Sequence, residues 1–575
     1  GGTTPPPGGG ITPPPGGGTT PPPGSTPPPS GGTTPPPSGG TTPPPSGGTT
    51  PPPSGTKPPS GSTPPPGGGT TPPGDSVTPP SGSTTSRGEE VNKPQADGTT
   101  NSPKDDSTTT PPLGSGRTNL PAGGTMNLPG SSSTVFSPTT SPSQELIAKD
   151  SPLAEAKPDL FSRLEEAFMR QFEQYFGQST KTQAVTLEEA RDTLRKVEQA
   201  SGVKPALIYV MFVPPRVTSD ETKDITAPIQ TPEDQLELVL VTAEGSPIRK
   251  RLAETTREQV LKVAQDFRSE VTNVRSGRNY VIPAQKLYQW LVAPLEADLK
   301  GQGIQNLSFI MDKGLRSIPV AALYDGQQFL VEKYSVGLMP SVSLTDTRYQ
   351  DVKNLQVLAM GSAKFPTLKP LPAVPIELSV ITSSLWQGKS FLNEAFTLKN
   401  LIAQRQQQPF GMIHLATHAS FQAGAPGNSY IELWDTKLRL NQLSGLGWKN
   451  PQVELLVLSA CKTALGNEDA ELGFAGLALQ AGVKSAIASL WSVNDEGTLG
   501  LMSELYLQLR QAPIKAEALR QAQIAMLKGQ VNLKGGNLVF GNESIPLPPE
   551  LVKLGDKALE HPYFWAGFTI IGSPW

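Results

Sequence analysis

The order of apolar runs along this chain predicts an α/β fold, a mostly parallel sheet sandwiched between helices. Three observations carry the prediction. Short, continuous apolar runs at 355–360, 453–458 and 485–491 read as strands covered on both faces. Segments with apolar residues three and four apart alternate with them and read as helices. The first quarter of the sequence shows neither pattern, so the fold is confined to the residues beyond it.

That first quarter, 1–151, is built largely from Thr-Pro-Pro-Pro units joined by Gly and Ser. It has almost no apolar side chains to offset the entropy of ordering, which predicts a disordered Pro/Gly/Thr-rich spacer of polyproline II segments with flexible joints. The repeats carry almost no charge to orient an SH3 or WW ligand, and their threonines are glycosylation candidates if the chain is secreted. The sequence opens at Gly1 without an initiator Met, so an upstream domain or a signal peptide is an open expectation.

A helical lead-in is expected over 152–202. Leu160, Leu164, Phe168, Phe172 and Phe176 recur at helical spacing, and a second helix opens on a capping box, Thr186 to Glu189, and stops at Gly202. The next segment, 203–350, is expected to hold strands at 206–213, 236–242 and 246–252, helices at 256–273 and 284–299, and a strand at 307–311. The last, 351–575, alternates strands at 355–360, 411–416, 453–458 and 485–491 with helices at 376–386 and 473–481.

Composition excludes several functions. The net charge is -3, with Lys and Arg scattered rather than striped, which argues against nucleic acid. No run approaches the roughly eighteen apolar residues of a membrane span. One cysteine permits neither an intrachain disulfide nor a Cys-based zinc site, and is weakly in keeping with a reducing, cytoplasmic compartment. The missing start leaves the cell envelope and secretion as alternatives. The glycines at 529–541 lack a Walker Lys-Ser/Thr pair and a preceding strand, so no nucleotide cofactor is expected.

The chemistry gathers where two strands end, at His414-Leu-Ala-Thr-His418 and at Leu458-Ser-Ala-Cys461-Lys-Thr-Ala-Leu-Gly466. In open parallel sheets, functional groups collect beyond the carboxyl ends of strands. The histidines do not form a zinc site, because Leu415 stands where a catalytic Glu would be and four strand residues span about 13 Å. His414, inside an apolar strand, reads as a core histidine, whereas His418, expected after the strand end, is free to act. Cys461 has two readings of equal weight from spacing alone: a small buried hydrophobe, or a nucleophile in a loop whose amides and Lys462 stabilise thiolate.

The segments His414 to His418, Leu458 to Gly466, Gly473-Phe-Ala-Gly-Leu-Ala478, Ser489-Leu-Trp-Ser-Val-Asn-Asp495 and His561-Pro-Tyr-Phe-Trp-Ala-Gly-Phe568 resemble the CHAT family of caspase-like cysteine peptidases, with separases and metacaspases as distant kin. Earlier pieces, including Gly314-Leu-Arg-Ser-Ile-Pro-Val-Ala-Ala-Leu323, resemble its amino-terminal half. The resemblance implies a caspase-like fold over 351–575, preceded by a non-catalytic, pseudo-caspase-like half over 203–350 that contains no Cys or His. It implies a dyad of His418 as base and Cys461 as nucleophile, with the backbone N–H groups of Ala419 and Cys461 as oxyanion donors. Relatives generally carry Gly where this chain has Ala419, which tolerates positive φ less well and predicts a shift in local geometry.

The expected function is hydrolysis of a protein partner, with a regulatory protein as a second class of partner and no cofactor or metal. The alternative is a catalytically weak scaffold that binds partners. Asp495 lies in a Trp-x-Val-x-Asp stretch similar to one in separases, where the acid faces a substrate Arg, and so implies cleavage after Arg or, less well, Lys. An equal reading makes Asp495 the N-cap of the following helix.

Overall fold

The computed structural model describes residues 151–152, 159–177, 182–215, 230–463 and 466–575, all within the unit Pro129–Trp575. For residues 460–463 the description is of the backbone. The spacer expected over 1–151 lies outside the described residues up to 150.

Strand β1 (Ser151–Pro152) precedes helix α1 (Asp159–Phe176). Leu164, Phe168 and Phe172, four residues apart, bury the expected face of that helix. Helix α2 (Leu187–Ser201) has both halves of its capping box and ends at Gly202, whose φ of 72° is the left-handed conformation that glycine adopts without strain. Then come β2 (Pro205–Val213), β3 (Gln235–Val241), β4 (Ile248–Thr256) and α3 (Arg257–Thr272).

The helix expected over 284–299 is broken. It is α4 (Val281–Leu291), a tight turn containing Pro294, and α5 (Glu296–Gly301), because proline has no N–H to continue the ladder. Strands β5 (Asn306–Met311), β6 (Ser335–Leu338) and β7 (Val357–Gly361) come next, then α6 (Val374–Ser379), which runs into one wider helical turn to Leu385. After these are β8 (Gly388–Leu392), α7 (Leu398–Gln407), β9 (Met412–Phe421), β10 (Tyr430–Glu432), β11 (Lys437–Arg439) and β12 (Leu455–Thr463). The chain closes with α8 (Glu468–Ala475), α9 (Leu477–Ala481), β13 (Ser485–Ser489), α10 (Asp495–Leu509), α11 (Lys515–Leu527), a meander of β14 (Asn532–Lys534), β15 (Asn537–Phe540), β16 (Glu543–Pro546) and β17 (Lys557–Ala558), and β18 (Phe568–Gly572).

Among the described residues fourteen strands form one sheet, ordered β1-β4-β3-β2-β5-β6-β18-β13-β12-β9-β10-β11, with β7 beside β9 and β8 beside β7. Within it β2, β5 and β6 are parallel, as are β13, β12, β9, β7 and β8. β2, β5, β7 and β13 are buried at every position, which is why their sequences are mostly apolar rather than alternating, with Asn306, Ser308, Ser485 and Ser489 as buried polar exceptions. The last strand, β18, joins the two parallel blocks: it runs antiparallel to β13 and parallel to β6. One hydrophobic core runs continuously from Phe161 to Trp575. Of the glycines in 529–541, Gly535, Gly536 and Gly541 serve as turns of the small four-stranded sheet β16-β15-β14-β17, with φ of 57° at Gly535 and 76° at Gly536, and Gly529 follows the end of α11. No helix among the described residues is long and apolar enough to cross a membrane.

Candidate active site at the carboxyl ends of β9 and β12

β9 changes neighbours along its length. β7 pairs with it from Met412 to Ala416, and β10 pairs antiparallel with it at Ala419 and Ser420. The Thr417 hydroxyl secures that exchange by donating to the Glu432 carbonyl at 2.6 Å. On the other side β12 runs parallel throughout, but its register shifts: Leu458 faces Leu415, then Ala460 faces His418 and Cys461 faces Ala419. The extra residue lies on β9, a bulge of the kind that re-aims side chains beside active sites.

His418 therefore sits inside a strand rather than after one, and Cys461 does not end β12, which continues to Thr463. Pairing with β10, and the further pairs Lys462 to Ser420 and Thr463 to Phe421, extend both strands beyond their apolar runs. The strands are adjacent, and the two residues stand one register step apart. Ala419 is extended like its neighbours: among the described non-glycine residues only Asn393 has a positive φ, so Ala419 meets no left-handed strain.

The ring of His418 is partly exposed and lies 4.7 Å from that of Phe365. Its Nε2–H donates to the Lys369 carbonyl at 2.8 Å. A carbonyl can only accept, so this bond puts the proton of the neutral ring on Nε2 and leaves the lone pair on Nδ1. His414 is different. It is fully buried, with Nε2 2.9 Å from a Glu377 carboxyl oxygen and Nδ1 3.3 Å from the Tyr506 hydroxyl, the core histidine that its apolar strand implies.

Phe365 and Lys369 belong to the loop 362–373 that leaves the carboxyl end of β7. At its start Gly361 lets the chains close up, since a Cβ there would lie 2.5 Å from the Ala416 carbonyl oxygen. The Ser362 N–H then reaches that oxygen at 3.1 Å, and the Ala363 N–H donates to Asn393 at 3.0 Å. A bond from the Leu371 N–H to the Ala363 carbonyl, 3.0 Å, draws the two limbs together over a small apolar cluster that includes Leu371, Val374 and Ala416. At its end the Ala373 N–H donates to an Asp495 carboxyl oxygen at 2.6 Å. Sequence reasoning missed this loop, because a main-chain carbonyl has no side-chain signature.

Asp495 is the first residue of α10 and is half-buried. It is not the cap. That role is taken by Asn494, whose side chain accepts the Gly497 N–H at 3.0 Å, so the capping alternative for Asp495 falls. Burial pushes its carboxyl up to about 7, aided by the charges of Glu377 and Glu496 and opposed by the Ala373 N–H and Lys369.

Beyond Cys461, residues 464–465 lie outside the described residues, and the chain resumes at Gly466 before α8. The buried Glu471 of α8 accepts a hydrogen bond from the Ser317 hydroxyl, and Ser317 accepts one from Arg268 at 3.0 Å. A cavity of about 760 Å³ lined by Arg257, Leu261, Arg268, Gly314, Gly466 and Glu468 opens beside that contact.

A mostly parallel sheet that carries a histidine and the sole cysteine on adjacent strands at their carboxyl ends has the architecture of the caspase-like cysteine peptidases. Residues 281–573, more than half of the sequence, match the CHAT domain, and the chain belongs to that family. No curated protein matches it. Among solved structures, the Saccharomyces cerevisiae separase-securin complex aligns with a TM-score of 0.39 and 11% identity, covering 67% of this chain and 31% of that one. This chain thus spans less than a third of that relative. The complex of Porphyromonas gingivalis RgpB pro- and mature domains aligns at a TM-score of 0.32 and 13% identity, covering 54% of this chain and 71% of that one. The Arg specific cysteine proteinase gingipain R aligns at 0.30 and 13%, covering 54% and 69%.

Proposed function

We propose that this chain is a cysteine endopeptidase that cleaves a protein partner through His418 and Cys461. One observation carries the reading. Adjacent parallel strands carry the backbones of the two residues one register step apart near their carboxyl ends, and the Lys369 carbonyl holds the imidazole with its lone pair on Nδ1. That nitrogen takes the thiol proton as the Cys461 sulfur attacks the scissile carbonyl carbon. As the tetrahedral adduct collapses, the C–N bond breaks, and the same proton passes to the departing amine, leaving a thioester. Water then attacks the thioester with His418 taking its proton, and the thiol and the carboxylic acid product are released. The backbone N–H groups of Ala419 and Cys461 are the proposed donors to the oxyanion.

For specificity, Asp495 is the proposed floor of the primary pocket, selecting Arg over Lys because a carboxylate binds guanidinium through two parallel hydrogen bonds. Its support is its position, half-buried and bonded to the same loop that touches His418. The segment 203–350 is proposed as the supporting, non-catalytic half. The test is incubation of the purified chain with a peptide library, read by mass spectrometry beside Cys461→Ala. Cleavage after Arg and Lys that disappears in the variant is the expected result; identical product spectra for both proteins refute the reading.

A further inference from the structure

We infer that Asp495 is a positioning residue for His418, acting through the loop 362–373. The inference rests on the dyad reading and adds to it a reason for the carboxyl to face the protein as well as the pocket. His418 receives its orientation from the Lys369 carbonyl, and Lys369 lies at the exposed tip of the loop. At the tip Pro366, Thr367, Lys369 and Pro370 are exposed, and the Phe365 ring lies against His418. Its position is therefore inherited from the buried stems.

The first stem is pinned to main chain and to Asn393, and the limbs are drawn together between Ala363 and Leu371. The second stem is pinned to α10 by the Ala373 N–H and Asp495, at 2.6 Å. Pro366, Pro370 and Pro372 stiffen the path between. A stiff segment transmits a displacement of its stem to its tip instead of absorbing it. Loss of the Asp495 acceptor leaves the buried Ala373 N–H without its side-chain partner, and the least costly remedy is for the stem to turn toward water. Lys369 and its carbonyl move with it.

The charged groups facing Asp495 are Glu377 on α6, Glu496 on α10 and Lys369 on the loop itself. The anchoring bond needs only an acceptor oxygen, whereas binding of a substrate guanidinium needs the charge. The two roles are therefore separable by substitution: Asp495→Asn keeps an acceptor and loses the charge, and Asp495→Leu loses both.

The single cysteine gives a readout independent of peptide cleavage, the pH profile of Cys461 alkylation by iodoacetamide in the full chain. His418→Ala is expected to slow alkylation at pH 7 about tenfold, since a thiol returned to a pKa near 8.5 is only a few per cent thiolate. Asp495→Leu should approach the His418→Ala profile, and Asp495→Asn should retain that of the wild type. Asp495→Ala carries the same expectation as Leu and serves if the larger side chain prevents folding, which circular dichroism shows. If folded Asp495→Leu or Asp495→Ala alkylates like the wild type while His418→Ala does not, the positioning role is overturned and the dyad stands. If Asn falls together with Leu, the charge rather than the acceptor matters, and the inference is likewise overturned. If His418→Ala leaves the profile unchanged, the dyad itself fails and the inference with it.

Discussion

Two strand ends of the same sheet, that of β5 in the first half and that of β9 in the second, carry polar residues to opposite effect. Beyond β5 the side chains turn inward. Asp312 is buried and accepts from the Lys313 N–H at 2.8 Å and from Gln171 at 3.3 Å, and the buried Arg316 lies 5.1 Å over the Phe172 ring. Ser317 links Arg268 to Glu471. At the end of β9, His418 is partly exposed and bonded to an exposed loop tip, and Asp495 keeps a carboxyl near neutrality at the helix start. The difference teaches that burial separates the two carboxyl edges: one is closed into the core for cohesion, and the other keeps polar groups within reach of water, where the proposed chemistry would need them.

The strongest way to break this contrast is at the dyad. Cys461→Ala and His418→Ala should each lower cleavage by about a thousandfold or more with melting temperature little changed, because base and nucleophile act as a unit. The double variant should be little worse than either single one; wild-type turnover in either would end the assignment. At the other strand end the effect should fall on stability. Glu471→Ala leaves the buried Ser317 hydroxyl without its acceptor and the buried Arg268 without its facing carboxylate, and should cost about 3 kcal/mol in urea unfolding. Glu468→Ala removes a half-exposed partner of Arg257, a 2.9 Å pair, and should cost less than about 1 kcal/mol. Equal midpoints for the two variants would deny that burial is what separates them.

Asp495→Asn sharpens the comparison at smaller scale. It should reduce the preference for Arg over neutral residues by about tenfold to a hundredfold in kcat/KM, the worth of one charge-assisted pair. In the wild type that preference should strengthen as pH rises through about 7, where the carboxyl ionises. Its effect on stability has the opposite sense. The folded form holds the proton more tightly than the unfolded chain between the ordinary value of 3.8 and about 7, so stability falls as pH rises through that window. Thermal melts at pH 5 and pH 8 should differ less in Asp495→Asn than in the wild type. The smallest effect is expected far from both ends: Thr186→Ala removes the capping box of α2 and should cost about 1 kcal/mol, with cleavage unaltered.

The sequence by itself determined the elements whose cause is local. Thr186, Glu189 and Gly202 bounded α2 because capping and left-handed φ are properties of a few neighbouring residues, and the uniformly apolar runs marked the strands that are buried on both faces. It also marked His418 and Cys461 as candidates through the resemblance of their segments to the CHAT family, where residue type and spacing alone left Cys461 with two equal readings. What it left to the tertiary structure was everything set by a distant partner. The extension of β9 past His418 depends on β10, the one-step register against Cys461 on a bulge, and the union of the halves on β18, the last strand of the sequence. The orientation of His418 hangs on a carbonyl 49 residues away, and the Asp495 bond spans 122. A main-chain oxygen has the same chemistry at every position, so only the packing of the loop could decide which one the imidazole meets.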